Sequence, residues 1–246
     1  MGHIMPTAVV IDGAFFLRRF SNAFPNLDSA SAADVALGVQ CMAAFHVSTR
    51  LHATPTWNGN VEGERYRPEE TPELYRIFFY DCPPWTKRLH TPVSKRSINF
   101  SQTPEARLRL AIHERLHQSR KVAVRLGRLN DKLSPWRLKP RAVDRWRLEG
   151  FEPADDDFEL DVIQKGVDMR LGLDIASMAY KRQVDQIVMV AADADFVPPA
   201  KLARREGIDV VLDPMSAHVA PDLLQHVDGV RNCRMQIGSP IAEDRQ

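Results

Sequence analysis

The stretch VDQIVMVAADADFVPPAKLARREGIDVVL, residues 184–212, carries the clearest structural pattern in the chain. Residues 187–190 are apolar and mostly β-branched over the length of a buried strand, and residues 208–212 repeat that pattern. Two carboxylates, Asp193 and Asp195, follow the first of these runs at once. Because ligands in parallel sheets bind beyond the carboxyl ends of the strands, both acids are candidate site residues.

A helix is predicted between the two strands. Asp195 is a suitable N-cap residue, and Pro198 and Pro199 are tolerated only in a first helical turn. Gly207 supplies the stop signal. The stretch is therefore a β-α-β unit, which predicts two parallel strands joined by a right-handed crossover.

The first strand repeats this geometry. Residues 7–11 form a compact β-branched run that ends in Asp12 and Gly13. Asp12 is therefore expected at the same edge of the sheet as Asp193. Residues 14–29 contain Phe, Pro, Asn and Ser, and they predict a loop with a helical turn at most.

A further helix is predicted from Gly166, which permits a tight turn, to about Tyr180. Asp168 lies in its first turn, where acids also favour the helix dipole, so that position by itself does not indicate a site. Asp174 shares a face with the apolar residues, where a carboxylate is costly without a partner or a metal. The apolar residues of that face are Val167, Leu171 and Met178.

Four carboxylates that converge at one edge of a sheet repel one another. Asp12, Asp168, Asp193 and Asp195 therefore predict one or two hard cations, Mg²⁺ or Mn²⁺, as cofactors. Two such ions can activate water and stabilise the leaving oxygen of a phosphoryl displacement. No Ser-His-Asp or Cys-His order and no phosphate-binding glycine motif is apparent, so neither a protein nucleophile nor a nucleoside triphosphate is indicated.

The basic residues are concentrated in one block. Residues 85–149 contain 17 Lys or Arg against five acids, and Trp85, Trp136 and Trp146 lie among them. Such a block suits phosphate contact and base stacking, although a solvated face with tryptophans in a core explains it equally well. The acidic run at 154–161 lacks the glycine and glutamate of a calcium loop and predicts a loop facing solvent or the basic block.

The remaining segments give a coarse secondary structure. Helices are expected over residues 31–51, 104–119 and near 221–226, and strands over 74–80 and 121–126. Asp81 is predicted to cap a turn, although it is also a candidate fourth acid. Residues 127–150 give no confident pattern, and 135–150 suit either a β-hairpin or a mobile basic loop.

The composition indicates an ordinary globular protein. The 246 residues are 44% hydrophobic and 26% charged. They contain no apolar run of membrane-spanning length and no signal-peptide pattern, which predicts a cytoplasmic protein without a membrane partner. The three widely spaced cysteines, Cys41, Cys82 and Cys233, are expected to be reduced thiols.

Three motifs together resemble a NYN domain of the PIN-like, LabA/DUF88-type superfamily. They are VVIDG at 9–13, KGVDMRLGLDIASMAY at 165–180 and VAADADFVPPAKLARREGIDVVL at 190–212. LLQHVDGV at 223–230 is similar to the closing helix of that family. The resemblance implies a three-layer α/β/α sandwich with a mainly parallel sheet. It also implies a metal-dependent ribonuclease whose metal-binding and catalytic acids are Asp12, Asp168, Asp193 and Asp195.

The resemblance has two departures and leaves two segments unexplained. Phe15 replaces the asparagine of the IDGxN motif, and Ala191 replaces the serine of SGDGDF. One domain over residues 6–237 is expected, with insertions at about 53–105 and 130–160 and a frayed tail at 238–246. The oligomeric state stays open, and a homodimer is one candidate.

The function expected is a two-metal-ion endoribonuclease acting on single-stranded or structured RNA. The alternative is an idle NYN fold that binds RNA or protein. Asp174 is expected to support the acids, and Lys165 is as well explained as a surface lysine as by a phosphate contact. The predicted RNA track comprises Arg107, Arg109, Arg115, Arg120, Lys121, Arg125 and Arg128.

Overall fold

A computed structural model describes residues 6–51, 74–129, 136–147 and 151–237. The main strands are β1 (Thr7–Asp12), β2 (Leu74–Asp81), β5 (Val122–Leu126), β10 (Gln186–Val190), β11 (Asp209–Asp213) and β12 (Gly229–Val230). The short strands are β3 (Arg88–His90), β4 (Ser97–Asn99), β6 (Arg128–Leu129), β7 (Trp136–Leu138), β8 (Phe158–Leu160) and β9 (Gln164–Lys165). The helices are α1 (Gly13–Ala23), α2 (Ala32–Leu51), α3 (Pro104–Gln118), α4 (Pro140–Trp146), α5 (Val167–Tyr180), α6 (Val197–Arg205) and α7 (Pro221–Leu224).

The six main strands form one sheet in which every neighbouring pair is parallel, in the order β12-β11-β10-β1-β2-β5. From β1 the chain builds outward through β2 and β5. It then crosses back and builds in the other direction through β10, β11 and β12. The strand order therefore reverses between β1 and β10, and a crevice opens there at the carboxyl edge of the sheet.

Helices cover both faces of the sheet, as the predicted α/β/α sandwich requires. Val9 and Ile11 of β1 face a core built with α1, α2 and α3, whereas Ala8 and Val10 face the core under α5, α6 and α7. Successive residues of a strand point to opposite faces, so each central strand contributes to both cores. The predicted fold class is confirmed.

The loop expected after Asp12 is wrong, because residues 13–23 form α1. Asp12 caps this helix by accepting a hydrogen bond from the backbone N–H of Phe15 at 3.1 Å. Phe16 and Phe20 are fully buried, and they line the inner face of α1. The aromatic residues of this segment therefore form an apolar stripe of the helix that packs into the core. The other helices and strands predicted at 31–51, 74–80, 104–119, 121–126 and 167–180 are confirmed within two residues.

Gly13 is required by close packing. A Cβ atom at this position would lie 2.7 Å from both the Phe79 ring and the Tyr80 carbonyl oxygen. Glycine therefore lets α1 start directly against β2.

The β-α-β unit at 184–212 is confirmed, but its capping residue differs from the expectation. Asp193 caps a short 3₁₀ turn at 194–196 by accepting from the Asp195 N–H at 3.2 Å. Helix α6 begins only at Val197, with proline in its first turn as expected. Gly207 follows the helix with a φ of +84°, a conformation that glycine adopts without strain.

The basic segment between β5 and α5 contains more order than its sequence indicates. Strand β6 pairs with β9, and β7 pairs with β8, so two short antiparallel ladders join the described residues before and after this segment. Residues 136–147 form neither of the two predicted alternatives, a β-hairpin or a mobile basic loop. Strand β7 pairs with residues 158–160, and residues 140–146 form α4.

The two sequence insertions pack together where they are described. The Trp136 indole donates to the His90 carbonyl at 3.0 Å, and its ring lies 6.1 Å from Phe100. Asp155 accepts from the N–H groups of Val93 and Ser94. Because these segments leave the carboxyl ends of β2 and β5, they stand at the same edge as the crevice. Residues 53–73, 130–135 and the tail at 238–246 lie outside the described residues.

None of the described helices combines the length and the hydropathy that crossing a membrane requires. Cys41, Cys82 and Cys233 are buried free thiols, as expected. Burial raises the pKa of Cys41 to about 11 and also raises the pKa of Cys233, so neither thiol is activated as a nucleophile.

Candidate active site at the carboxyl edge

Strand alternation sorts the acids at the carboxyl edge into two groups. Asp81 and Asp213 occupy the same face as Phe79 and Val211, toward α1–α3. Asp12 has the parity of Val10 and faces the α5–α6 side. The second side also carries Asp168, at the start of α5.

Asp81 is a buried acceptor and does not cap a turn, so the turn-capping prediction is wrong. Its carboxylate accepts from Arg109 at 2.9 and 3.1 Å and from the His113 imidazole at 2.7 Å. The Asp81 side chain is fully buried. Since a buried carboxylate requires such partners, Asp81 anchors α3 to β2 and is not available to a ligand.

The Asp213 carboxylate is likewise hydrogen-bonded inside the core. It accepts from the backbone N–H groups of Met215 and Cys233 and from His46, which is 2.8 Å away and fully buried. His46 is therefore a packing histidine. Two of the acids that follow main strands thus belong to the core, and the residues left for a site lie around β1, β10 and α5.

Asp12 is the most enclosed of the four predicted acids. Burial raises the pKa of its carboxyl, and the negative charge of Asp168 raises it further. The N–H groups of Phe15 and Ala14 and the cation of Arg18 act in the opposite direction. Arg18 is exposed on α1, and sequence reasoning missed it because nothing in residues 14–29 indicated a helix.

Asp168 lies in the first turn of α5 and interacts electrostatically with the two acids that follow β10. Gly166 adopts a left-handed conformation, with a φ of +80°, and lets the chain turn from β9 into the helix. Although the Asp168 side chain reaches solvent, surrounding protein raises the pKa of its carboxyl, and the charges of Asp195 and Asp193 raise it further. The acids of β1, α5 and the β10 loop are therefore within electrostatic range of one another.

The chemistry of these donors fits a hard divalent cation. The four groups are carboxylates, which Mg²⁺ and Mn²⁺ prefer, and their mutual repulsion is the condition that a cation relieves. Within the described ranges, no three His, Cys, Asp or Glu side chains stand close enough together to form a ready ligand cage. The structure brings the four acids to one edge of the sheet.

Asp174 is held beneath this crevice by two hydrogen bonds. The Tyr80 hydroxyl donates to its Oδ2 atom at 2.8 Å, and Arg125 Nε donates to the same atom at 3.0 Å. Arg125 also lies over the Phe78 ring at 5.6 Å. Burial and the Asp174 charge raise the pKa of Tyr80 far above its ordinary value, so the hydroxyl stays a donor. The partner expected for Asp174 is therefore a tyrosine–arginine pair.

Two cations stand directly opposite each other on the short ladder that precedes α5. Arg128 of β6 is the cross-strand partner of Lys165 of β9, and both side chains are exposed. Like charges in this position repel, and an anion between them would relieve that repulsion. Lys165 lies three residues before Asp168, so the ladder leads into the helix that carries this acid.

The predicted RNA track is divided by the fold. Arg125 and Arg128 lie at the carboxyl end of β5 or just after it, and Arg109 reaches the same edge through Asp81. Arg107, near the start of α3, donates to Gln102. A three-residue connection joins α3 to β5, so the remaining cations lie at the opposite edge, where Lys121 bonds the first residue of β2. These cations are Arg115, Arg120 and Lys121.

The acidic run at 154–161 faces the basic block, which was one of the two predicted outcomes. Asp157 pairs with Arg145, and Glu159 and Asp161 pair with Arg137. Two of the five cations between residues 136 and 147 are therefore paired locally. The cations of the β6–β9 ladder, Arg128 and Lys165, are outside these pairs.

The two residues that depart from the NYN motifs both have buried, apolar side chains. Phe15 is buried in the core under α1, and Ala191 is 2% exposed. Neither position presents a polar group to the crevice. The four acids, by contrast, all occupy the edge that their motifs predict.

Comparison with known proteins gives one match, to part of the chain. The family model of the NYN domain matches residues 130–230, which include Asp168, Asp193, Asp195 and the whole of α5 and α6. No curated protein and no solved structure matches the chain.

Proposed function

We propose that this chain, whose residues 130–230 match the family model of the NYN domain, is a metal-dependent endoribonuclease. The observation that carries the proposal is the convergence of Asp12, Asp168, Asp193 and Asp195 at the point where the strand order reverses. There the negative charges of Asp193 and Asp195 raise the pKa of Asp168, and the charge of Asp168 raises that of Asp12. Carboxyl groups whose pKa is raised by burial and by neighbouring carboxylates cluster at functional sites.

The four acids would hold Mg²⁺ or Mn²⁺, with Asp12 as the most enclosed ligand. Two divalent ions supply a nucleophile from water at neutral pH and stabilise the leaving oxygen of an in-line displacement. Asp174, Tyr80 and Arg125 keep α5 against β2 and β5 and thereby set the position of Asp168. Hydrolysis of the phosphodiester by water would leave a 5′-phosphate and a 3′-hydroxyl.

The substrate phosphate would contact the cations near the crevice. Arg128 and Lys165 oppose each other across the β6–β9 ladder and suit a phosphate between them. Arg18, whose positive charge acts on Asp12, adds a third cation near the same edge. Of the predicted track, we retain Arg125, Arg128, Arg107 and Arg109 as the group at this edge.

The test is cleavage of labelled single-stranded and structured RNA by the whole protein with Mn²⁺, Mg²⁺ or EDTA. Asp193→Asn keeps the size of the side chain and removes a metal ligand, and we expect it to abolish cleavage. Glu114→Gln neutralises an exposed acid on the outer part of α3 and serves as the matched control with full activity. DNA of the same sequence tests whether the sugar matters, because no described contact reads a 2′-hydroxyl.

The second candidate is a NYN fold that binds RNA or a protein partner without cleaving. It is favoured by one observation, the lack of a ready ligand cage in the described part of the chain. RNA binding that is tight, salt-sensitive and unaccompanied by cleavage in any metal would select this candidate. Cleavage that persists in EDTA or in Asp193→Asn would contradict the metal-dependent mechanism. A cytoplasmic location and a single domain over 6–237 stay predictions.

A further inference from the structure

Helix α5 has a second apolar face that no described element covers. Met169, Leu173 and Tyr180 are 72%, 63% and 64% exposed, which places them among the most exposed large hydrophobic residues of the described chain. At 100° per residue they fall within about 40° of one another on the helix surface. Leu171 and Met178 lie on the opposite face, where they pack into the core.

A helix that is apolar on two faces is typically covered on both. The outer face of α5 is open along its middle, where a Cβ atom added to Gly172 would meet no atom within 4 Å. The stripe from Met169 to Tyr180 is about 16 Å long at 1.5 Å per residue. It begins one residue after Asp168, so it leads directly away from the acidic crevice.

The charges around this stripe are almost all positive. Lys165 and Arg170 lie near its start, and Lys181 and Arg182 follow its end. All four side chains are exposed, and within the described residues they form no ion pair. Asp168 at the crevice is the exposed acid of the helix, because Asp174 is engaged beneath it by Tyr80 and Arg125.

We propose that the outer face of α5 binds a single-stranded RNA segment that extends from the acidic crevice, with bases against the apolar stripe and phosphates on its flanking cations. This inference rests on the proposed function, because it assigns the path of the substrate at the same site. Exposed apolar and aromatic groups with cations beside them are the combination that unpaired nucleic acid recognises. The length of the stripe corresponds to about five nucleotides at the stacked spacing of 3.4 Å.

The charge pattern distinguishes RNA from a second copy of this chain. Two α5 helices packed through the same stripe would place eight cations in a single interface, with only two Asp168 carboxylates to offset them. Such like-charge contacts oppose association, whereas a polyanion is attracted by them. RNA is therefore the occupant that this face fits.

The experiment measures binding of a short, labelled single-stranded RNA by fluorescence anisotropy. All proteins carry Asp193→Asn, so that RNA is not consumed. Tyr180→Ala is expected to weaken binding about fivefold or more, the effect of losing one stacked base, and the triple Met169→Ala, Leu173→Ala, Tyr180→Ala variant more strongly. Arg170→Ala should also reduce the salt dependence of binding, by about 0.7 in the logarithmic slope.

Two matched controls keep the result specific. Leu110→Ala removes a 43% exposed leucine from the opposite layer, and Arg205→Ala removes an exposed cation at the far end of α6. Both are expected to bind RNA as the parent does, and thermal melting should show all variants folded because the substituted side chains are exposed.

RNA affinity of the triple variant within twofold of the parent overturns the inference, and so does an equal loss in Leu110→Ala. Light scattering supplies a further contrary outcome: a dimer that the triple variant converts to a monomer while RNA binding is unchanged makes the face a self-association surface. Cleavage by the unmodified chain is measured separately. Cleavage together with unaltered binding by the triple variant would reject the α5 path and leave the proposed nuclease intact.

Discussion

The hydrogen bond between Tyr80 and Asp174 provides the sharpest energetic test of the site. Tyr80→Phe removes a hydroxyl that is fully buried and lies 2.8 Å from the Asp174 carboxylate, and it leaves the aromatic ring in place. Asp174→Ala removes the acceptor instead. It leaves the buried Tyr80 hydroxyl without a described partner and releases Arg125.

The size of each effect follows from exposure. A hydrogen bond to a charged group contributes about 1.5–3 kcal/mol, and the low end applies because the Asp174 side chain is 27% exposed. Tyr80→Phe should therefore lower the free energy of unfolding by about 1.5 kcal/mol. Asp174→Ala should cost about 2–3 kcal/mol, since an unpaired buried hydroxyl adds to the loss. The exposed Arg125 pair adds little, because its side chain is 42% exposed.

Urea unfolding followed by circular dichroism measures these values, with equal m-values as the condition for comparing variants. The double variant should lose less than the sum of the two single losses, with a coupling energy of about 1 kcal/mol. Arg125→Gln provides the matched variant, and we expect it to cost less than Tyr80→Phe. Additive losses, or a Tyr80→Phe variant as stable as the parent, would refute the view that this bond anchors α5.

Three further outcomes follow from the geometry. Gly13→Ala should lower the free energy of unfolding by about 2 kcal/mol or more because its Cβ atom has no space, whereas Gly172→Ala, in an open helix interior, should raise it by about 0.5–1 kcal/mol, both measured by chemical denaturation. The raised pKa of Asp168 means that the folded state favours the protonated carboxyl. The contribution of this carboxyl to the free energy of unfolding is therefore fully present at low pH and is lost as the pH rises through the folded pKa. Asp168→Asn should therefore melt at a higher temperature than the parent at pH 7, and the gap should narrow as the pH falls. Added Mg²⁺ should raise the parent's melting temperature more than the variant's. Arg128→Glu should weaken RNA binding and its salt dependence, whereas Arg115→Glu, at the opposite edge, should not, and equal effects would restore the continuous track.

Local sequence patterns determined most of the helices and strands from which the three layers of the fold are built. The β-branched runs at 7–11 and 187–190 and the apolar period of 167–180 each specify an element through near-neighbour spacing. The position of Asp12, Asp193 and Asp195 after their strands followed from the same spacing, because a strand's end is a local property. The family motifs coincide with these elements.

Tertiary structure decided which of the strand-terminal acids lie at the candidate site. Asp81 and Asp12 both end a β-strand, yet alternation and packing send Asp81 to Arg109 and His113 and leave Asp12 beside Asp168. No spacing in the sequence distinguishes them, because the partners of Asp81 are 28 and 32 residues away.

Tertiary structure also divided the basic block. Contiguous cations on α3 and β5 separate because the helix and the strand run in opposite directions. Arg115 therefore lies far from the edge that Arg128 reaches, although both belong to one basic stretch of sequence. Conversely, Arg128 and Lys165 are 37 residues apart and become neighbours through the β6–β9 ladder. Proximity of this kind depends on long-range strand pairing, which the amino-acid pattern of either segment does not encode by itself.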